Sequence, residues 1–425
     1  MSLRRRLGVA GVALLPFVLA LLVVAAVLFE RQGGFAPFRV PRGGPRDAAQ
    51  DAATIRRGEY LAHLGNCAVC HTTRGGPAFT GGRPFTTDYG IIHSTNLTPD
   101  VETGIGDWSL PEFAHVLRNG VSRHGVLYPV FPYAHFASLK DDDIAAIYAY
   151  LRSLTPVRAP TPQNALDFPE NWRPILIGWR MLYYRPDEML AAKPDDRGRY
   201  LVDGLGHCAM CHSRRGNFGS LPREGYLAGG SLPVTNWYAP PLDSAQLQRY
   251  SVDELARFLR AGSSDAADAY GPMAEVIYGG LHFITDDDAR AIATHLKRLP
   301  PHPPTKDASG LVQNDSVDGG EIYRRACADC HGAQGEGKAG KYPALRGTVA
   351  MTAPDPINAL RLVLYGGLPP ATERNPRPYS MPPFVYQLSA AEIAAVVNYT
   401  RHEFGDRKPT LSARDVETHE GIVIE

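Results

Sequence analysis

Cysteine and methionine are scarce in this chain, and its formal net charge is zero. Its 425 residues include six cysteines and seven methionines, and 44 basic residues balance 44 acidic ones. A formal charge of zero gives no basic excess of the kind that nucleic-acid binding needs. Every cysteine belongs to a Cys-x-x-Cys-His motif, so none is left for a structural disulfide. These shortages argue against a nucleic-acid-binding protein and against a disulfide scaffold.

The cysteines form three motifs of identical spacing. The pairs are Cys67 and Cys70, Cys208 and Cys211, and Cys327 and Cys330, and the histidines that follow them are His71, His212 and His331. This spacing is typical of c-type haem attachment, in which two thioethers hold the porphyrin and the histidine ligates the iron. Zinc would need paired knuckles brought together, but the three motifs lie far apart and each has its own histidine. A thioredoxin-like pair would need a strand-then-helix context, which none of the motifs has. The motifs predict three covalently bound haem c groups.

One long hydrophobic run stands at the N-terminus. Three arginines, Arg4 to Arg6, precede an uncharged apolar stretch from Leu7 to Phe29. About 20 apolar residues suffice to cross a bilayer, and a cleaved signal has a shorter core. We therefore favour an uncleaved membrane anchor over residues 1–32, with a cleaved signal peptide as the alternative. The arginines predict a cytoplasmic N-terminus and a haem-bearing bulk on the other, periplasmic side of a cytoplasmic membrane.

Three copies of one plan follow, each about 100 residues long. The predicted copies span 54–156, 193–302 and 315–406. Residues 33–53 form a tether, 157–192 an apolar insert, 303–314 a proline-rich linker and 407–425 a charged tail without predicted structure. The insert is predicted to contain a helix that joins two haem domains or offers a surface to a partner, the membrane or a quinone.

Each copy shows the signals of three helices. An opening helix leads into the motif, and a middle helix begins at a cap and ends at glycine: Gly120, Gly262 or Gly366. Capping boxes are predicted at Ser109 with Glu112 and at Ser251 with Glu254. A closing helix carries an apolar stripe in every copy. The predicted fold is mainly α.

This arrangement resembles class I cytochrome c domains in tandem. The whole chain after the anchor resembles the triheme cytochrome c subunits of bacterial membrane-bound alcohol, gluconate, aldehyde and nicotinate dehydrogenases. The segments that carry the resemblance are 94–100 (STNLTPD) with 103–106 (TGIG), 127–129 (LYP), 168–174 (FPENWRP) and 271–275 (GPMAE).

The resemblance implies an electron-transfer subunit without catalytic residues. Its donor would be a catalytic dehydrogenase subunit, and its acceptor would be ubiquinone or a terminal oxidase. Loop 128–136 (YPVFPYAHF) resembles the cytochromes paired with molybdenum hydroxylases slightly more than those paired with quinoproteins or flavoproteins. A different class of function stays open, in which a five-coordinate first haem acts on a small substrate.

The resemblance also indicates where distal iron ligands lie. Met381 precedes the third closing helix, where class I cytochromes present a thioether, and Met273 occupies the corresponding region of the second copy. Either would complete a His/Met haem of raised reduction potential. Met351 lies too early in its copy and is interpreted as packing.

The first copy contains no methionine. Phe131 stands where the related cytochromes have a ligating methionine, and phenylalanine cannot bind iron. Three explanations compete: a histidine replaces the methionine, the iron is five-coordinate, or another subunit supplies the ligand. His135, four residues beyond Phe131, is the preferred sixth ligand, with His93 and His124 as alternatives. A bis-histidine first haem would have a lower potential than the other two.

Overall fold

The computed structural model is mainly helical, which confirms the mainly α part of the predicted fold class. It describes Pro16, 18–20, 22–24, 26–27, Glu30, 51–185, 196–232, 235–264, 267–303, 317–407 and 411–420. Most of the predicted anchor and tether and residues 304–314 of the proline-rich linker lie outside these residues. No helix within the described ranges is long and apolar enough to cross a membrane.

The chain divides into two compact units. The first comprises Met1–Gly58 and Pro84–Ala192, and the second comprises Glu59–Arg83 and Lys193–Glu425. The first haem motif therefore groups with the second and third copies. Its segment, Glu59–Arg83, is called the first-motif segment below.

The first unit combines helices with short antiparallel strands. Its helices are α1 (Ala52–Leu64, whose later part enters the second unit), α3 (Leu110–Asn119), α4 (Tyr133–Phe136), α5 (Asp141–Ser153) and α6 (Ile175–Tyr183), and its strands are β1 (Pro84–Thr87), β2 (Gly90–His93), β3 (Val121–Ser122), β4 (Gly125–Val126) and β5 (Ala165–Leu166). Strand β2 lies between β1 and β5, and β3 pairs with β4. The ring of Phe113 lies 5.4 Å from that of Tyr148 in the core.

The apolar insert folds onto the first copy. Strand β5 extends the sheet at β2, and Leu176 and Ile177 of α6 pack against the β3–β4 hairpin. The buried Arg180 donates from Nη1 to the carbonyl oxygen of Asn119 at 2.7 Å. The insert therefore contains the predicted helix, and these contacts fix it to the copy that precedes it. Residues 186–192 of the insert lie outside the described residues.

The second unit contains the helices of the second and third copies. In chain order they are α2 of the first-motif segment (Cys67–Cys70), α7 (Arg197–Arg199), a π-helix (Tyr200–Leu205), α8 (Ala209–His212), α9 (Ser244–Leu247), α10 (Val252–Ala261), α11 (Gly271–Gly279), α12 (Asp286–Arg298), α13 (Gly319–Ala326), α14 (Ala328–His331), α15 (Val349–Thr352), α16 (Ile357–Tyr365), α17 (Ala390–Gly405) and α18 (Ala413–His419). Strands β6 (Gly230–Leu232) and β7 (Trp237–Ala239) form an antiparallel pair. Short 3-10 turns include Leu281–Phe283.

The predicted helix ends are largely confirmed. Ser251 and Glu254 form a complete capping box at α10. At α3, Ser109 accepts a hydrogen bond from the Glu112 backbone, but the Glu112 carboxylate binds Arg123 at 2.6 Å instead of closing the box. The reason is competition, since a guanidinium binds a carboxylate more strongly than a backbone N–H does. Gly120, Gly262 and Gly366 all end their helices with positive φ.

In each copy the opening and closing helices cross at a glycine. A Cβ atom on Gly58, Gly198 or Gly319 would lie 1.9, 2.1 or 2.2 Å from the carbonyl oxygen of Ala146, Ala291 or Ala395. Only a residue without a side chain permits this approach. The crossing holds the opening helix, which precedes the haem motif in the sequence, against the closing helix of its copy.

The tail differs from its prediction. Helix α18 packs on α17, Val416 is fully buried, and Asn398 donates to the Leu411 carbonyl oxygen at 2.8 Å. Ser412 and Asp415 form a complete capping box that starts the helix. The high charge of the segment obscured a helix that buries a single valine.

Candidate functional site: three motif turns

The three Cys-x-x-Cys-His motifs adopt the same backbone turn. In each, the histidine N–H donates to the carbonyl oxygen of the first cysteine, at 3.0 Å for His71, 2.9 Å for His212 and 3.0 Å for His331. One helical turn therefore separates the two thiols, which puts both sulfurs on one side of the backbone. All six cysteines are half-buried, and none forms a disulfide. This is the arrangement that two thioether bonds to one porphyrin need.

The chain returns to each histidine in the same way. The backbone N–H groups of Gly81, Gly229 and Gly337 donate to the carbonyl oxygens of His71, His212 and His331 at 2.8, 2.8 and 2.7 Å. All three glycines have positive φ. The returning loop is thus a second element common to the three motifs.

Two motif histidines are held by proline carbonyls. His212 donates from Nδ1 to the Pro240 carbonyl oxygen at 2.7 Å, and His331 donates from Nδ1 to that of Pro343 at 3.0 Å. Burial lowers the pKa of both imidazoles, which keeps them neutral. With the proton on Nδ1, Nε2 presents its lone pair, as an iron ligand must. The sequence did not reveal these prolines, because they lie at different distances from their histidines.

The motif thiols lie where burial disfavours the thiolate form. Burial raises the pKa of Cys67 and Cys208 to about 12 and that of Cys327 to about 11. Zinc binding and thiol exchange both need thiolates, whereas a finished thioether carries no charge. No cluster of three or more histidine, cysteine or acidic residues that could hold a metal ion occurs in the ranges the structure describes. The residues present therefore fit haem c.

Met273 and Met381, the candidate distal ligands, lie in different structural surroundings. Met381 forms an antiparallel bridge with Gly367, with N–H···O distances of 2.8 and 3.0 Å, and packs on the third-copy core. Met273 lies in the first turn of α11, and Ile277, one turn further along the same face, is fully buried. Met351 is 6% exposed within the third-copy core, as the packing interpretation predicted. The roles of Met273 and Met381 as ligands stay predictions.

His135 lies on the short helix α4. It is 3% exposed, and the neighbouring Phe131 and Phe136 rings are 5.6 Å apart. The corresponding His282 of the second copy has Nδ1 3.0 Å from the Ile277 carbonyl oxygen, so it has a structural partner. His93 is half-buried and His124 is exposed. His135 as sixth ligand stays a prediction.

The first-motif segment packs closely against the second copy, which the sequence did not predict. The rings of His63 and Phe283 stack at 3.8 Å, and His207 Nε2 lies 3.3 Å from the Gly65 carbonyl oxygen. A Cβ on Gly279 would come within 2.0 Å of Val69 Cγ2. Helix α11, which carries Met273, therefore lies directly against the first motif.

Arg83 fastens this contact. Its guanidinium donates to both carboxylate oxygens of Glu275, at 2.6 and 3.0 Å, and to the Val69 carbonyl oxygen at 2.6 Å. Glu275 and Met273 are two residues apart on α11 and so point to nearly opposite sides of the helix. One face of α11 thus binds the first motif while the other carries the candidate ligand of the second.

Comparisons with known proteins agree with this geometry. The profile of the cytochrome c family matches residues 55–155 and 316–402. The chain is 38% identical to the gluconate 2-dehydrogenase cytochrome c subunit of Pantoea cypripedii, over 87% of this chain and 90% of that protein. It is 37% identical to the cytochrome c subunit of the quinone alcohol dehydrogenase of Gluconobacter oxydans, over 87% and 83%.

A third relative is larger than this chain. It is one of the subunits of the nicotinate dehydrogenase of Pseudomonas putida, 40% identical over 86% of this chain but only 31% of its own length. Similarity over nearly the full length of the first two relatives, together with the motif turns, shows that the chain belongs to the cytochrome c subunits of dehydrogenases, which are electron-transfer proteins with covalently bound haem c.

Proposed function

We propose that this chain carries three haem c groups and relays electrons from a periplasmic dehydrogenase to ubiquinone or a terminal oxidase. The observation that carries the proposal is the threefold repetition of the motif turn and of the loop that returns to its histidine. A fold that builds the same attachment turn three times favours three haems over one haem and two vestigial motifs.

The chain's own residues would supply the coordination. The cysteine pairs 67/70, 208/211 and 327/330 would form the thioethers, and His71, His212 and His331 would bind the iron from the proximal side. Met273, Met381 and His135 would fill the distal positions. Haem iron supplies a one-electron couple, and two axial protein ligands leave it no open position for substrate. Six-coordinate sites therefore suit electron transfer rather than substrate chemistry.

The partner would be a catalytic dehydrogenase subunit, with the molybdenum hydroxylase type slightly preferred. The preference rests on loop 128–136, since identities of 37–40% to cytochromes of several dehydrogenases do not separate the classes. The Tyr128 hydroxyl of this loop donates to the Glu170 carbonyl oxygen of the insert at 3.0 Å. The loop and the insert would thus form one surface feature for partner recognition.

The membrane location is part of the same proposal. The run from Leu7 to Phe29 would anchor the chain, with the haem domains on the periplasmic side. The insert supports contact with a membrane or an apolar partner, because Trp172 is 59% exposed and Phe168 and Leu182 are also exposed. An electron carrier held at the bilayer would reach a quinone that is confined to it.

Electron paramagnetic resonance on the oxidised full-length protein tests the proposal. We expect three low-spin haems, one of which becomes high-spin in His135→Ala, because that substitution removes the sixth ligand. His282→Ala is the matched control, since its imidazole already has a backbone partner, and it should leave all three signals unchanged. Haem content by mass should correspond to three groups.

Two results would contradict parts of the proposal. A haem content below three would refute the three-haem relay. A high-spin signal in the unsubstituted protein, with rapid carbon monoxide binding by one ferrous haem, would show an open first site and favour an enzyme acting on a small substrate.

A further inference from the structure

Arg361 is a buried cation in aromatic surroundings. It lies on α16 and is 2% exposed. Its Nε and Nη1 atoms are buried and donate no hydrogen bond to any residue that the structure describes. An unpaired buried charge costs several kcal/mol, so such a group normally has a counter-charge. Arg361 therefore indicates a ligand that carries negative charge.

Other buried arginines in the chain are satisfied by protein oxygens. Arg401, also 2% exposed, donates to the carbonyl oxygens of Ala353 and Asp355 at 2.7 and 3.1 Å. Arg180 donates to the Asn119 carbonyl oxygen. Arg361 instead stands over the rings of Trp237 at 5.0 Å and Tyr365 at 5.7 Å. Ring faces attract the cation but do not accept the hydrogen bonds of the N–H groups in its plane.

The position of Arg361 points to the second haem site. Asn358, one turn earlier on α16, exchanges two hydrogen bonds with the Tyr238 backbone, at 2.9 and 2.7 Å. This fixes α16 against β7, which leads directly to Pro240, the residue whose carbonyl holds His212. Arg361 is thus a third-copy residue placed beside the loop that orients the second proximal histidine.

Trp237, which packs against Arg361, also contacts the helix that carries Met273, the candidate distal ligand of the second haem. A Cβ on Gly271 would lie 2.5 Å from the Trp237 ring, so the ring touches the start of α11 two residues before Met273. The Arg361–Trp237 pair therefore adjoins both segments that carry the candidate axial ligands of the second haem. Haem c brings two propionate carboxylates, which match a guanidinium in charge and in hydrogen-bond geometry.

We propose that Arg361 binds a propionate carboxylate of the haem held by Cys208, Cys211 and His212. The inference rests on the proposed function, because it needs a haem at the second motif. Arg361 neutralises the carboxylate, so it disfavours the ferric state and raises the potential of that haem. It also ties the third copy to a group that belongs to the second.

The test is a potentiometric titration of the full-length protein with Arg361→Met, which keeps an unbranched apolar stem and removes the charged guanidinium. We expect a lower midpoint potential for one haem and a shifted propionate bending mode in resonance Raman spectra. Arg361→Lys should recover part of the potential. Arg324→Met, which removes an exposed arginine from the same copy, should change neither readout.

A second substitution, combined with Arg361→Met, identifies which haem Arg361 affects. Met273→His should lower the potential of the second haem and so distinguish it from the third. If Arg361→Met shifts that haem further, the second-haem assignment is supported. A shift of the third haem instead would support carboxylate binding and overturn the assignment to the second.

Failure of this inference is distinguishable from failure of the proposed function. Unchanged potentials and propionate modes in a variant that retains three haems would overturn the role of Arg361 and leave the relay intact. A protein without haem at the second motif would refute the relay itself.

Discussion

The second and third copies share one plan but differ in their surroundings. The third copy has a regular opening helix, α13, and its candidate ligand Met381 stands on a loop bridged to Gly367. In the second copy, the opening helix passes from α7 into the π-helix Tyr200–Leu205, and Met273 stands on α11. The second copy also contacts two neighbours within its unit, the first-motif segment and the third copy.

The difference shows what a neighbour does to a repeated fold. The π-helix places Leu205 and His207 against Gly65 of the first-motif segment. Helix α11 meets the same segment through Gly279 and the Arg83–Glu275 pair. The π-helix and helix α11 are the two features that distinguish the second copy from the third. Both therefore lie where the second copy meets the first-motif segment. The following predictions test which features depend on neighbours and which belong to each copy alone.

The largest expected loss of stability is at the glycines where the opening and closing helices cross. Gly198→Ala and Gly319→Ala would each push a Cβ into a backbone carbonyl oxygen about 2 Å away, so the two helices must separate. We expect each to lose about 3 kcal/mol of unfolding free energy, measured by urea denaturation. Gly178→Ala is the control, because a Cβ there meets no atom within 4 Å. Equal stability of all three variants would refute a shared glycine crossing.

A smaller loss of stability should separate the two copies at two hydrogen-bonding tyrosines, the half-buried Tyr226 and the buried Tyr323. Tyr226 donates to Asp203 of the π-helix, whereas Tyr323 of the third copy donates to the Gly332 carbonyl oxygen at 2.6 Å. Burial and the Asp203 carboxylate raise the pKa of Tyr226, which keeps its proton in place as a donor. We expect Tyr226→Phe to cost about 2 kcal/mol and Tyr323→Phe about 1 kcal/mol. Equal losses in urea denaturation would show that the π-helix network is not specially stabilised.

The smallest expected loss of stability, at the capping boxes, should be the same in the second and third copies. Ser251→Ala and Ser389→Ala each remove a complete capping box and should cost about 1 kcal/mol. Backbone hydrogen bonds from these serines lower the pKa of Glu254 and Glu392. Their carboxylates therefore contribute stability at and above neutral pH, and lose it as pH falls through the lowered pKa values. A Glu254→Gln variant should differ from the parent at pH 7 and converge with it in acid; a constant difference would contradict this linkage.

Local features of the chain were predictable because short-range chemistry sets them. The caps at Ser251 and the glycine ends of the middle helices satisfy backbone groups within a few residues. Glu112 departed from its predicted box because Arg123, remote from the helix start, competed for its carboxylate. Helix α18 was missed because one buried valine gives no periodic signal.

The sequence by itself determined the chemistry of this protein. The cysteine and histidine spacing predicts the attachment turns, the positions of the few methionines make Met273 and Met381 candidate distal ligands, and their absence from the first copy makes His135 the candidate there. Tertiary structure alone decided that the first-motif segment packs on the second copy and that Arg361 is buried beside Trp237. The physical reason is range: attachment needs residues within one helical turn, whereas these contacts join surfaces that are distant in the sequence and carry no periodic pattern.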